Sequence, residues 1–259
     1  NVGSETIISQ EYIQGRKKDL VMPIKPFSQA LKWIEEQDKY ALRTDQPPFT
    51  IVGSGLSAVE VALALRSRWR SRKLQLQADS WKLKPKFKKA LIAGRINLVP
   101  REELIQGPRL LCTGSKSPDW IKKSNLIVDS FGRVLTNHAL QVINYSKVFA
   151  VGDCASIINH YRPPSGVWAV RAAKPLATNL ERISKNLKPI NWRPQLRVLQ
   201  LIGGCIPESR RLVAWASWGN LLIGPHSLFW RWKQFIDRGF IAKFDLPLRM
   251  GKSFSLKNE

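Results

Sequence analysis

Phe49-Thr50-Ile51-Val52-Gly53-Ser54-Gly55-Leu56-Ser57-Ala58-Val59-Glu60 is the stretch on which the fold turns. Its first four residues are β-branched or aromatic and read as a short strand. Val59 to Leu65 is a strong helix former, and Leu74-Gln75-Leu76-Gln77 alternates like a second strand. Strand, glycine turn, helix and strand within about thirty residues make one βαβ unit. In that context Gly53-x-Gly55-x-x-Ala58 has a mechanical meaning. The first glycine allows the tight turn, the second lets backbone approach a pyrophosphate, and the small third residue lets helix pack on strand. The helix N-terminus adds N–H donors and the positive end of its dipole. Gly53, Ser54, Gly55, Leu56, Ser57 and Ala58 are therefore the candidate dinucleotide cradle, weighed against an ordinary tight βα turn.

Two features beside this cradle stay open. Asp79, just beyond the second strand, suits a ribose hydroxyl and NADH, whereas Arg72 and Lys73 suit a 2′-phosphate and NADPH; a plain loop acid is the third reading. Glu60 lies in the first helical turn, where the dipole stabilises an anion. Taken alone it reads as a solvated carboxylate.

Outward from this unit, Phe27, Ala30, Leu31 and Ile34 recur at helical spacing with Ser28 as candidate N-cap, and Pro23 and Pro26 mark an extended segment before them. Lys82 to Ala93 reads as a basic helix, Ile96 to Val99 and Arg109 to Cys112 as strands, and Val148 to Val151 as a further apolar strand. Val167 to Leu187 reads as a helix interrupted at Pro175. Residues 196–202 and 212–218 read as a hairpin turning at Pro207-Glu208-Ser209, and Ser227 to Phe244 as an amphipathic helix with Phe229, Trp232, Ile236 and Phe240 on one stripe. Packing on its own protein is the first expectation for that stripe and contact with an anionic bilayer the second.

The 259 residues are 44% apolar and 24% charged, the balance of a globular protein rather than a disordered or fibrous one. Net charge is +23, and the stretch from Arg66 to Arg101 holds twelve Lys and Arg against one acid, Asp79. Such a patch suits nucleic acid, an anionic membrane or a polyphosphate cofactor, or is a solvated basic face. Cys112, Cys154 and Cys205 form no CxxC pair, which removes a redox dithiol and a zinc knuckle and fits a reducing compartment. His138, His160 and His226 lack ligand spacing, so no metal is expected.

The string Val148-Phe149-Ala150-Val151-Gly152-Asp153-Cys154-Ala155 gives the chain a specific resemblance. With Gly53 to Glu60 and the Thr113-Gly114 turn, all in order, it resembles the two-dinucleotide-fold flavoproteins, the pyridine-nucleotide-dependent FAD oxidoreductases. The resemblance implies that Asp153 bonds the FAD ribityl chain, that Glu60 lies near nicotinamide and flavin, and that Gly114, Gly152, Val170 and Arg171 border the flavin. Thr113 to Trp120, Val167 to Arg171, Pro175 to Leu180 and Trp230 to Arg238 resemble the branch related to type II NADH dehydrogenases. Within it they are most similar to the subgroup found fused to, or beside, selenide, water dikinase. The family's N-terminal FAD fingerprint has no counterpart here, so an N-terminally truncated chain is expected. Val99 and Arg109 are too close for the family's β-meander, and Ala172-Ala173 stands where the subgroup has Gln-Gly.

These readings divide the chain into 1–47, a remnant of the FAD domain and linker; 48–110, an abbreviated NAD(P)-binding domain; 111–187, a second FAD-domain part; and 188–259, an interface or acceptor-side region. The expected fold is α/β with two Rossmann-like dinucleotide-binding domains, incomplete at the N-terminus. The expected activity is an NAD(P)H dehydrogenase that uses FAD and passes electrons to a quinone or other small acceptor. A cytoplasmic site is expected, with peripheral contact at the inner face of a membrane as the variant. A selenide, water dikinase domain is the partner the subgroup implies. Nucleic-acid binding and a non-catalytic scaffold are the rivals from other classes.

Overall fold

A computed structural model describes residues 2–13, 20–43, 45–195, 198–206, 211–219 and 221–242. The chain opens with β1 (Glu5–Thr6) and one helical turn, α1 (Gln10–Ile13), then β2 (Val21–Pro23) and α2 (Phe27–Gln37). The βαβ unit follows as β3 (Phe49–Val52), α3 (Leu56–Arg68) and β4 (Leu74–Gln77), then α4 (Pro85–Ala93), β5 (Ile96–Val99) and β6 (Arg109–Leu111). These strands form one parallel sheet in the order β2-β6-β3-β4-β5. β3 and β4 are buried along their whole length, and their polar residues are satisfied inside, Gln75 Nε2 donating to Thr50 Oγ1 at 2.9 Å. One strand of this sheet, Val21–Pro23, comes from the 1–47 stretch.

Several expectations need correction here. Helix α2 is capped by Pro26 and begins at Phe27, so Ser28 lies inside it and caps nothing. The basic helix starts at Pro85 rather than Lys82, because proline at the first helical position fixes the backbone and lacks only an N–H that would go unused. Arg66 and Arg72, read as surface charge, are both buried.

A second, smaller assembly follows: β7 (Ser115–Lys116), α5 (Asp119–Lys123), β8 (Val134–Thr136), β9 (Gln141–Val142), β10 (Tyr145–Phe149) and β11 (Ala155–Ile157), leading into α6 (Gly166–Ser184). β7 pairs with β1, and the others form a sheet in the order β10-β9-β8-β11. β10 is an edge strand with Tyr145 to Val148 exposed; it begins and ends earlier than the Val148–Val151 run expected, of which Phe149 and Ala150 are half-buried and Val151 is buried. Helix α6 runs unbroken through Pro175, against the expected interruption; it ends near Lys185 because Asn186 turns left-handed (φ 55°).

The third part is an antiparallel sheet, β12 (Leu199–Ile206), β13 (Arg211–Trp218) and β14 (Leu221–His226), closed by α7 (Ser227–Ile241). The expected hairpin is thus two of three strands, and its turn at 207–209 lies outside the described residues, as does Phe244. This sheet packs on the nucleotide unit: the Phe87 and Trp215 rings meet edge-on at 5.8 Å. Lys84 donates to Ser217 Oγ and the Gly219 carbonyl, and Lys86 to the Leu222 carbonyl. Helix α3, lying between β3–β4 and β12, is apolar on nearly all sides. Each fully buried Leu, Ile, Val or Phe in this core contributes about 1.5–3 kcal/mol of transfer energy.

Candidate dinucleotide and cofactor site

Gly53 ends β3 with φ +144°, and a Cβ there would stand 2.4 Å from the Cys112 carbonyl oxygen. Only glycine lets β3 pass beneath that loop. Gly55, at the N-cap of α3, has open space before it, with Ser57 Oγ the nearest atom at 4.0 Å from a Cβ. Ala58 is fully buried against the turn, Leu56 is half-buried and Ser57 is exposed. The turn is thus closed behind Gly53 and open before Gly55, with the N-terminus of a thirteen-residue helix at the opening.

Asp79 sits at the carboxyl end of β4. Its N–H donates to Ser54 Oγ at 2.8 Å, tying the acid loop to the glycine turn, and its carboxylate accepts from Lys82 Nζ at 2.6 Å. That lysine, above all, holds the Asp79 carboxyl below its ordinary value. Arg72 is excluded as a 2′-phosphate ligand. Its guanidinium donates to the Gln37 carbonyl and side chain and lies over the Trp69, Phe49 and Tyr40 rings, 4.7–5.8 Å from their centres. Burial pushes its pKa down. Lys73 precedes β4, at the end of the sheet away from the crevice. The cation paired with Asp79 is Lys82, for which the sequence signals no role.

Sequence reasoning also missed Gln77, whose amide donates to the Arg101 and Glu103 carbonyls and pins that loop beside the crevice. Across the same edge, Arg101 pairs with Glu11 of α1 at 2.7 Å, and Tyr12 is buried against Val52 and Leu111. Spacing gave no signal for these contacts, of which the Arg101–Glu11 pair joins residues 90 positions apart.

Glu60 meets the third sheet. Its Oε1 accepts the Gly203 N–H at 3.1 Å, with Lys233 Nζ 4.0 Å away. A Cβ on Gly203 would lie 2.8 Å from the Trp230 ring, so glycine lets α3, β12 and α7 converge on this carboxylate. The side chain stays 40% exposed, open to a ligand on one flank.

On the other side, Gly152 turns with φ +76° and delivers Asp153. Asp153 Oδ2 accepts from Ser4 Oγ and Lys25 Nζ, each at 2.9 Å. Gly3 borders empty space, and Gly114 (φ +99°) meets only the tip of Ile7. An open, glycine-lined approach to a fixed carboxylate fits the polyol chain of FAD. Val170 and Arg171 lie exposed on α6, with the Arg171 guanidinium turned to the Gln195 side chain and the Trp168 ring. A half-open pocket beside Gly152 is lined by Arg133, Thr136, His160, Arg162, Trp168 and Trp192. Cys112, Cys154 and Cys205 are all buried and form no disulfide with one another, with burial pushing the Cys112 thiol up to about 12.

Of the sequence-predicted residues, Gly53 to Ala58 and Asp79 come together at one crevice, Glu60 faces β12 and α7, and Gly152 and Asp153 meet Ser4 and Lys25. No protein-family model matches the chain. A probable NADH dehydrogenase of Dictyostelium discoideum is 38% identical over 77 residues, 29% of this chain and 17% of that protein. The sulfide:quinone oxidoreductase of Aquifex aeolicus superposes with a TM-score of 0.69 at 13% identity, over 93% of this chain and 67% of that one. The water-forming NADH oxidase of Lactobacillus brevis superposes with a TM-score of 0.61 at 18% identity, over 83% of this chain and 50% of that one. The chain thus spans half the oxidase and under a fifth of the curated relative. These likenesses establish the fold, an α/β, two-dinucleotide-binding architecture shared with FAD- and NAD(P)-dependent oxidoreductases.

Proposed function

We propose that the chain is the nicotinamide-binding and ribityl-binding part of an FAD-dependent NAD(P)H dehydrogenase. The observation that carries this reading is the pairing of an open glycine turn at Gly53–Ala58 with a fixed carboxylate, Asp153, beside empty glycine-lined space. Gly55 and the α3 N-terminus take the pyrophosphate of the nicotinamide dinucleotide, and Asp79 with Lys82 meets its adenosine ribose. Glu60, anchored by Gly203, positions the nicotinamide end. Asp153 accepts a ribityl hydroxyl, with Gly114, Gly152, Val170 and Arg171 completing the flavin side. When bound, NAD(P)H and FAD supply the hydride chemistry; the protein contributes placement and electrostatics. The three thiols of this chain are buried and separate, which favours transfer of electrons from the flavin directly to a small acceptor.

A quinone is the acceptor favoured by the exposed apolar face of α7, where Trp232, Phe235, Ile236 and Phe240 stand in solvent beside Arg231 and Arg238. The same face favours peripheral contact with an anionic membrane. No helix among the described residues is long and apolar enough to cross one. A selenide, water dikinase domain as partner rests on the resemblance of segments 113–120, 167–180 and 230–238 alone.

The test is a visible spectrum of the protein reconstituted with FAD, before and after anaerobic NADH or NADPH. A flavin spectrum that bleaches with either nucleotide supports the reading, and protein that stays colourless in excess FAD overturns it. Glu60→Gln is expected to slow the bleaching roughly 10- to 100-fold while leaving bound FAD unchanged, because it misplaces the nicotinamide. An unaltered rate would remove Glu60 from the site.

A further inference from the structure

Three segments distant in sequence meet in one polar knot. Lys25 Nζ donates to Ser4 Oγ at 2.6 Å and to Asp153 Oδ2 at 2.9 Å, while Ser4 Oγ donates to the same Oδ2 at 2.9 Å. The lysine is held at its root as well, its backbone N–H donating to Thr6 Oγ1 at 3.0 Å. Lys25 follows β2 of the five-stranded sheet, whereas Asp153 lies between β10 and β11 of the second sheet. The pair therefore bridges the two units across 128 positions of sequence.

The chemistry of the knot is asymmetric. Both donors converge on Oδ2, so the carboxylate is fixed in rotation while Oδ1 keeps its lone pairs for a hydroxyl donor. A carboxylate with 20% of its side chain exposed would otherwise turn among several orientations. An ordinary half-exposed ion pair contributes only about 0–1 kcal/mol to folding. Here the lysine is also fixed by Thr6 and bonded to Ser4, an arrangement that orients rather than merely attracts.

We propose that Lys25 is a positioning residue of the cofactor site, holding Asp153 in the orientation that accepts a ribityl hydroxyl of FAD and tying that contact to the nucleotide-binding sheet. The assignment rests on the reading of Asp153 as the ribityl ligand. FAD affinity is measured by titrating free FAD into cofactor-depleted protein and following flavin fluorescence, for the wild type, Lys25→Met, Asp153→Asn and the double variant. Lys25→Met is expected to weaken FAD binding about tenfold, the loss of one charge-assisted hydrogen bond's worth of orientation. Lys25→Arg is expected to restore most of it. In the Asp153→Asn background the Lys25→Met change should cost almost nothing, since residues acting through one contact are not additive.

Wild-type affinity in Lys25→Met, or an undiminished effect in the Asp153→Asn background, overturns the assignment while leaving the cofactor reading intact. A wild-type protein that takes no FAD overturns both. If Lys25→Met does not fold, Ser4→Ala enters the same cycle. It removes one of the two donors to Oδ2 and is expected to cost about threefold in affinity, and no change would overturn the proposal.

Discussion

Gly53 and Gly55 stand two residues apart and do opposite work. At Gly53 a Cβ would strike backbone that cannot give way, with the Cys112 oxygen at 2.4 Å and its carbon at 2.9 Å. Gly53→Ala should therefore cost roughly 2 kcal/mol or more of stability, read from the denaturant midpoint. Gly55→Ala meets open space and an ordinary backbone, so the fold should hold within about 0.5 kcal/mol. Its methyl enters the volume a pyrophosphate would take, and NADH binding, measured by titration calorimetry, should fall about tenfold. The turn that both glycines build was legible in the sequence, because a strand–turn–helix context leaves glycine few reasons to recur at that spacing. The charged residues were not. Arg72 and Lys82 look alike in a list of basic residues, and only the fold shows that one is stacked among aromatic rings while the other faces Asp79.

Helix α3 owes its seating to contacts at its far end. Arg68 donates to both oxygens of Asp38, at 2.8 and 2.5 Å, and Trp69 Nε1 donates to the same carboxylate at 2.7 Å. The Arg68 hydrogen bonds, followed by that of Trp69, lower the Asp38 carboxyl to about 2. A folded-state value below the unfolded one gives stability that is complete above about pH 4 and is lost as pH falls from there through about 2. Asp38→Asn should thus lower the melting temperature by about 2–4 °C at pH 6, for a half-exposed pair worth about 1 kcal/mol. The gap should narrow as pH falls from about 4 through about 2 and close only below that; a gap at about pH 2 as wide as at pH 6 would separate Asp38's role from its charge. The elements of the βαβ unit were readable because Leu and Gln alternate in β4 and α3 is a run of strong helix formers opened by a glycine turn. β2 was not: three residues ending in proline carry no period, and its place beside β6 is decided by tertiary pairing alone.

Across the molecule, the charge of +23 proves to be partly internal. Among the twelve basic residues between Arg66 and Arg101, Arg66 donates to four backbone carbonyls. Lys84 and Lys86 fasten the third sheet, and Arg68, Lys82 and Arg101 are paired with acids. Of the stretch that the sequence presents as a basic patch, Lys84 and Lys86 join the nucleotide unit to the third sheet, while Arg66, Arg68, Lys82 and Arg101 bond among residues 11–101. The apolar stripe of α7 departs from expectation in the opposite sense. Trp232, Ile236 and Phe240 were expected to pack inward, yet they are exposed, and Trp230 takes the inward place against Gly203. The period was right and the phase was not, because a glycine on β12 decides which aromatic ring can approach. Phe235, 77% exposed, gives a clean probe. Phe235→Glu should leave stability within about 0.5 kcal/mol and cut binding to phosphatidylglycerol-containing vesicles about tenfold or more in a sedimentation assay. Equal binding by both proteins would remove α7 from any membrane contact. The outward side of β10 carries a different consequence. Among the described residues no strand pairs with that edge, which leaves room for an added extended peptide even though the Ser146 carbonyl already accepts from Gln141 Nε2, and Lys147 is the one charge along it. Such an edge makes concentration-dependent self-association, or capture of an added β-strand, the first hazard in handling this protein.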